Sequence, residues 1–107
     1  MHARVVSATI QRDMMREAIR IYRDEIDPVA KQQAGNLGGY FLTDKARGKA
    51  ISISLWESEA AMLAGEESDY LQEQIFKMAE LFTSTPIAEH FEVSVAQKEH
   101  LEMEPIK

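Results

Sequence analysis

The chain of 107 residues has no cysteine. That single absence removes disulfides, thiolate metal sites and cysteine nucleophiles. It also lacks long apolar runs, since none approaches the ~18–20 residues that cross a bilayer. Met1-His2-Ala3-Arg4 opens no signal peptide, so a cytoplasmic protein without a membrane partner is expected. Clustered basic residues are missing as well. With a net charge of −6, and with Arg and Lys interleaved with acids, the chain is not expected to bind nucleic acid. No Ser-His-Asp pattern, phosphate loop or dinucleotide fingerprint is present. The three histidines, His2, His90 and His100, show no metal-ligand spacing, so neither metal nor cofactor is expected.

What is present is the composition of one globular domain, with 45% hydrophobic and 28% charged residues. Residues 3–10 are rich in β-branched side chains and read as a first strand. Asp13 is a helix cap candidate before an amphipathic stripe of Met15, Ala18, Ile19, Tyr22, Ile26 and Val29. Pro28 should kink or tighten the last turns, and Gly35 supplies a left-handed stop. Gly38 to Asp44 reads as a second strand, and Gly48 lets the hairpin turn. The third strand runs from Ala50 to Trp56. Ser58 caps a short helix that Gly65 and Ser68 should break. A longer helix restarts at Ser68-Asp69 and carries Leu71, Ile75, Met78 and Phe82 on one side. Ser84-Thr85-Pro86 ends it. Phe91, Val93 and Val95 alternate with polar or small residues in a fourth strand.

This order, β-α-β-β-α-β with an internal hairpin, predicts an α+β ferredoxin-like sandwich over residues 1–97. A charged C-terminal tail covers 98–107. Right-handed crossovers put both helical regions on one sheet face. Ile51, Ile53, Leu55, Phe91, Val93 and Val95 are bulky and are expected to meet the helices. The opposite parity, Ser52, Ser54, Trp56, Ser94 and Ala96, with Val6, Ala8, Ile10 and Phe41, is expected to meet a second copy. That predicts a homodimer through the sheet face.

The run Ile53-Ser54-Leu55-Trp56-Glu57-Ser58-Glu59-Ala60-Ala61-Met62 resembles the strand-to-helix signature of the antibiotic-biosynthesis monooxygenase (ABM) family. Asp27-Pro28, Gln33-Ala34-Gly35, Ser68-Asp69-Tyr70 and Phe91-Glu92-Val93 resemble that family in order and spacing, over residues 3–97. The resemblance implies a dimeric α/β barrel with a pocket in each protomer between helices and sheet. It also implies a cofactor-free oxygenase for polycyclic phenols or quinol-like compounds, or a non-catalytic binding or structural module. A haem-degrading branch uses an Asn on the first strand, the Trp ending the third, and an iron-ligating His on the second long helix. Only Trp56 matches. Val6 and Ile75 stand at the other two places, and isoleucine holds no iron.

A cofactor-free oxygenase must hold an apolar ring and stabilise developing negative charge. Trp56 offers an indole N–H at the pocket wall, or a buried anchor bonded to backbone. Tyr70, near a helix start, offers a phenolic donor. These two are the catalytic candidates. Tyr22 and Tyr40, with Met62, Ile75 and Met78, are the substrate-binding candidates, and each also reads as core or filler. Gly38-Gly39 permits close ligand approach or a bulge. His90 titrates in the range of a general base, or is a surface histidine before the last strand.

Overall fold

In the computed structural model, which describes residues 1–97, four strands form one antiparallel sheet. They are β1 (His2–Thr9), β2 (Asn36–Asp44), β3 (Lys49–Trp56) and β4 (Ile87–Glu92), in the order β2-β3-β1-β4. Between β1 and β2 lie α1 (Met15–Ile21), a wide π-helical turn (Tyr22–Ile26) and α2 (Asp27–Ala30). Between β3 and β4 lie α3 (Glu59–Glu67) and α4 (Tyr70–Phe76). This is the expected α+β ferredoxin-like arrangement. The tail from 98 to 107 lies outside the described residues.

Local chemistry explains most boundaries. Ser58 caps α3 by accepting the Ala61 N–H at 3.1 Å. Gly35 takes φ of +81°, and its carbonyl accepts the Glu57 N–H at 2.9 Å, tying the end of the first helical region to the end of β3. Pro28 lacks an N–H and would press its ring on the carbonyl of Asp24 in a regular helix. The chain widens rather than tightens before it, and the Asp27 N–H reaches back to the Tyr22 carbonyl.

Several boundaries differ from the sequence reading. Gly65 does not break α3. It is buried there, and a Cβ would come within 3.2 Å of the Tyr70 ring and 3.9 Å of Trp56, so the glycine makes room for two aromatics. The break falls at Asp69, whose φ is +66°. The second helix ends at Phe76, and a 3-10 turn (Ala79–Leu81) follows. The three-residue period of that turn suits Met78 and Leu81, both buried. Asp13 lies inside a 3-10 turn before α1 and caps nothing with its side chain. The fourth strand spans Ile87–Glu92, not Phe91 to Ala96, because its ladder to β1 closes at His2↔Glu92.

The largest correction concerns the sheet faces. Cross-strand partners share a face. One set contains Phe41↔Ser52↔Val6, the Gly39↔Ser54↔Arg4↔His90 row, and Trp56↔His2. It includes the side chains that line a cavity together with Tyr22, Ile26, Ile75 and Met78, so this is the helix-covered face. The other set contains Tyr40↔Ile53↔Val5, Leu42↔Ile51↔Ser7 and Ala3↔Phe91, and no helix of the described residues covers it. The serine-bearing face therefore packs under the helices, opposite to the expectation. The reason is volume. The helix stripes carry Met15, Tyr22, Ile26, Ile75 and Met78, so the sheet beneath them has small residues and the bulk falls on the open side.

Candidate functional site

The buried core joins Ile10, Met15, Ala18, Ile21, Ile26, Ala50, Met78 and Leu81 near one end of the sheet. Beside it, between β-sheet and α4, the small side chains of β1 and β3 leave a cavity of about 80 Å³. Val6 and Ala8 form its floor with Ser52 and Ser54, and Leu71, Ile75 and Met78 face them across it. Tyr22 and Phe41 line the same cavity as a stacked pair, with ring centroids 4.3 Å apart. The wall is mostly apolar, and its polar groups are few.

Those polar groups fall into two sets. In the first, hydroxyls are committed to neighbours. Tyr22 Oη and Ser52 Oγ are bonded at 2.9 Å, and the Trp56 indole N–H donates to Ser54 Oγ at 2.9 Å. Burial pushes the Tyr22 hydroxyl above the usual phenol range, partly offset by the Ser52 bond. The second set contains Arg4, Tyr70 and Gln74. Arg4 is only 2% exposed, and its Nη1 donates to the Met62 carbonyl at 3.2 Å and to Glu66 Oε2 at 3.1 Å. Its guanidinium lies 5.1 Å over the Trp56 ring. His90 Nε2 meets the same Glu66 oxygen at 2.8 Å. Gln74 is buried, and its Oε1 accepts from Lys77 at 3.0 Å. Burial also raises the Tyr70 hydroxyl, with the charge of Arg4 opposing, so it is an O–H donor at neutral pH.

Of the residues singled out in the sequence, Tyr22, Tyr70, Ile75 and Met78 line the cavity together. Three others do not. Trp56 is 1% exposed and sits behind the wall, where its N–H holds Ser54 rather than facing a ligand. Met62 is fully buried under α3 and reaches the site only through its carbonyl, the acceptor for Arg4. Tyr40 stands on the open sheet face, half exposed, because its register partner is Ile53 and not Ser52. The β-bulge falls between Asn36 and Gly38, and Gly39 serves close strand packing, since the Ile53 carbonyl occupies the place of its Cβ. His90 lies within β4, not before it.

Arg4, Ser52, Ser54, Gln74 and Glu66 are not among the catalytic or substrate-binding candidates that the sequence offers. Arg4 is an inward charge in an apolar strand, a visible signal once the parity of β1 is assigned correctly. Glu66 is 62 residues away from it and was indistinguishable from its acidic neighbours.

The donor set does not fit haem. Val6 and Ile75 line the cavity where that chemistry needs amide and imidazole, and no histidine of the described residues lines it. Among the described residues no cluster of three or more His, Asp or Glu side chains is arranged to hold a metal ion. No helix of the described residues is long and apolar enough to cross a membrane.

A family model described as antibiotic biosynthesis monooxygenase matches residues 1–77. The chain is similar to two uncharacterised proteins of Mycobacterium tuberculosis, from strains CDC 1551 and H37Rv. Each is 28% identical over 99 residues, which cover 92% of this chain and 43% of the relative. This chain therefore spans less than half the length of those relatives. Among solved structures it is similar to the monooxygenase from the gene ActVA-Orf6 of Streptomyces coelicolor, in complex with Nanaomycin D. The TM-score is 0.74 at 14% identity, covering 89% of this chain and 88% of that one. It is also similar to Rv0793 from Mycobacterium tuberculosis, with a TM-score of 0.68 at 14% identity, covering 91% and 99%. Likeness at these identities speaks for the fold.

Proposed function

We propose a function from one premise: the chain belongs to the antibiotic biosynthesis monooxygenase family. In this reading it binds a flat, apolar small molecule in the cavity between α4 and the sheet and oxygenates it without a cofactor. The observation that carries the reading is an apolar cavity walled by the Tyr22–Phe41 stack, with Tyr70 and Gln74 as polar groups on its lining.

The chemistry asks little of the protein. Oxygenation of a ring CH₂ to C=O balances with O₂ alone, because the second oxygen atom leaves as water with the two hydrogens of that carbon. The protein's part is to exclude water, align the ring and donate hydrogen bonds where negative charge develops. Tyr70 is the donor we assign. Tyr22, Ile75 and Met78 hold the ring, and Trp56 acts through Ser54. Quinol-like and polycyclic phenolic rings suit such a site, but they need more room than it shows. An engineered apolar cavity of ~150 Å³ holds benzene, against about 80 Å³ here. Ring entry therefore moves α4 outward, about its junction with α3 at Asp69.

The second reading is a non-catalytic ligand-binding module of the same fold. It is favoured by the tightness of the cavity and by a lining that, among the described residues, carries no carboxylate or imidazole to act as base. Oxygen uptake with a panel of anthrone- and quinol-type compounds separates the two. We expect uptake by the wild type and its loss when Ala8→Leu fills the cavity. Binding without uptake across the panel would establish the second reading.

The open sheet face supports a homodimer. Tyr40, Leu42, Ile87 and Phe91 are each 46–61% exposed there. Ile51, Ile53 and Leu55 complete an apolar surface whose bulk suits the ~10 Å spacing of two packed sheets. Light scattering should give twice the chain mass.

A further inference from the structure

We propose that the cavity takes its ligand as an oxyanion, with Arg4 as the anchoring residue and Glu66 as the counter-charge that holds Arg4 in place. The inference rests on the cavity being the ligand site.

Arg4 is the least expected member of the lining. A charge is costly to bury unless it is fully paired and hydrogen-bonded. Arg4 is 2% exposed, yet Glu66, its single carboxylate partner among the described residues, is shared with His90. A guanidinium has five N–H donors. Nη1 serves Met62 and Glu66, and among the described residues no hydrogen bond uses Nε or Nη2. The cation–π contact with Trp56, 5.1 Å to the ring centroid, consumes no donor. A residue placed only for structure would have its donors spent on backbone or carboxylate oxygens.

The neighbours point the same way. From α4, Tyr70 and Gln74 line the same cavity, and among the described residues neither the Tyr70 hydroxyl nor the Gln74 amide nitrogen is hydrogen-bonded. From β4, His90 faces Glu66, not the cavity. From the first helical region, Tyr22 has spent its hydroxyl on Ser52. The groups left unspent, a guanidinium, a phenol O–H and an amide N–H, are all donors, and a cation joined to neutral donors recognises an anionic oxygen. An acidic ring hydroxyl or a ring carboxylate meets that description; an uncharged ring does not. Glu66 attenuates the charge of Arg4, so the site tolerates being empty.

The test uses the full chain and para-nitrophenol, a single ring that ionises near neutral pH and changes colour when it does. Spectrophotometric titration in the presence of protein should show the bound probe ionising about one pH unit lower than the free one, equivalent to about a ten-fold preference for the phenolate. Nitrobenzene, which lacks the hydroxyl, should bind about ten-fold more weakly at a pH where the phenol is ionised. Arg4→Met should abolish the shift and Arg4→Lys should retain part of it. Glu66→Gln keeps Arg4 and should enlarge the shift, which provides a readout should Arg4→Met not fold. Equal binding of both probes with no shift in the bound phenol would overturn the anchor and leave the cavity reading intact. If neither probe binds the wild type, the cavity reading itself falls, and the anchor with it.

Discussion

The two faces of one four-stranded sheet are built on opposite principles. Under the helices stand Val6, Ala8, Ala50, Ser52 and Ser54, small enough to leave a cavity once Tyr22, Ile75 and Met78 descend from above. On the open side stand Ile51, Ile53, Leu55, Tyr40 and Phe91, large and with no helix of the described residues to cover them. The difference teaches that bulk on a strand does not mark the covered face. A face opposed by thick helical side chains is filled from the helices. A face that no described helix opposes carries its volume on the strands themselves. The buried charge follows the same division, since Arg4 stands on the covered side.

That contrast predicts unequal responses to mutation. The largest belongs to the covered side. Trp56 is 1% exposed and carries the cation–π contact with Arg4, so Trp56→Ala should cost about 3–5 kcal/mol of stability by urea unfolding. An unchanged midpoint would mean that the covered face is not the core of the fold. On the open side, Ile53→Asp should leave the folded monomer almost as stable as before and halve the mass seen by light scattering. A mutant that unfolds instead would show that this face is packed within the chain.

The smallest effect sharpens the comparison at the cavity wall. Tyr22→Phe removes the bond to Ser52 and should cost about 1 kcal/mol at neutral pH. Its signature lies in alkali. Burial raises the Tyr22 hydroxyl above the ordinary phenol value of about 10. The unfolded chain therefore releases that proton first. The stabilisation is complete below the unfolded value and is lost as pH rises through the folded one. Wild-type stability should fall above pH ~10, and Tyr22→Phe should fall less steeply. Parallel curves would place the Tyr22 hydroxyl in a wet environment.

Much of the fold was legible because its signals are local. The Ser58 cap, the left-handed Gly35 and Gly48, and the alternation in β3 each act within a few residues. Errors arose where a residue answers to distant neighbours. Gly65 reads as a helix breaker, but it admits the rings of Trp56 and Tyr70. Tyr40 and Met62 look like pocket residues by type, and register or depth removes them from the lining. The Arg4–Glu66–His90 cluster joins three elements that the chain keeps far apart.

The sequence by itself determined the order of elements, the family, and a tryptophan at the join between β3 and α3. Only the tertiary structure decided which side of the sheet that tryptophan occupies. Period-two alternation separates two faces and does not say which one is covered, because that depends on volumes brought by helices elsewhere in the chain. Once the helices take the serine-bearing side, Trp56 lies behind the cavity and Arg4 lies within its wall.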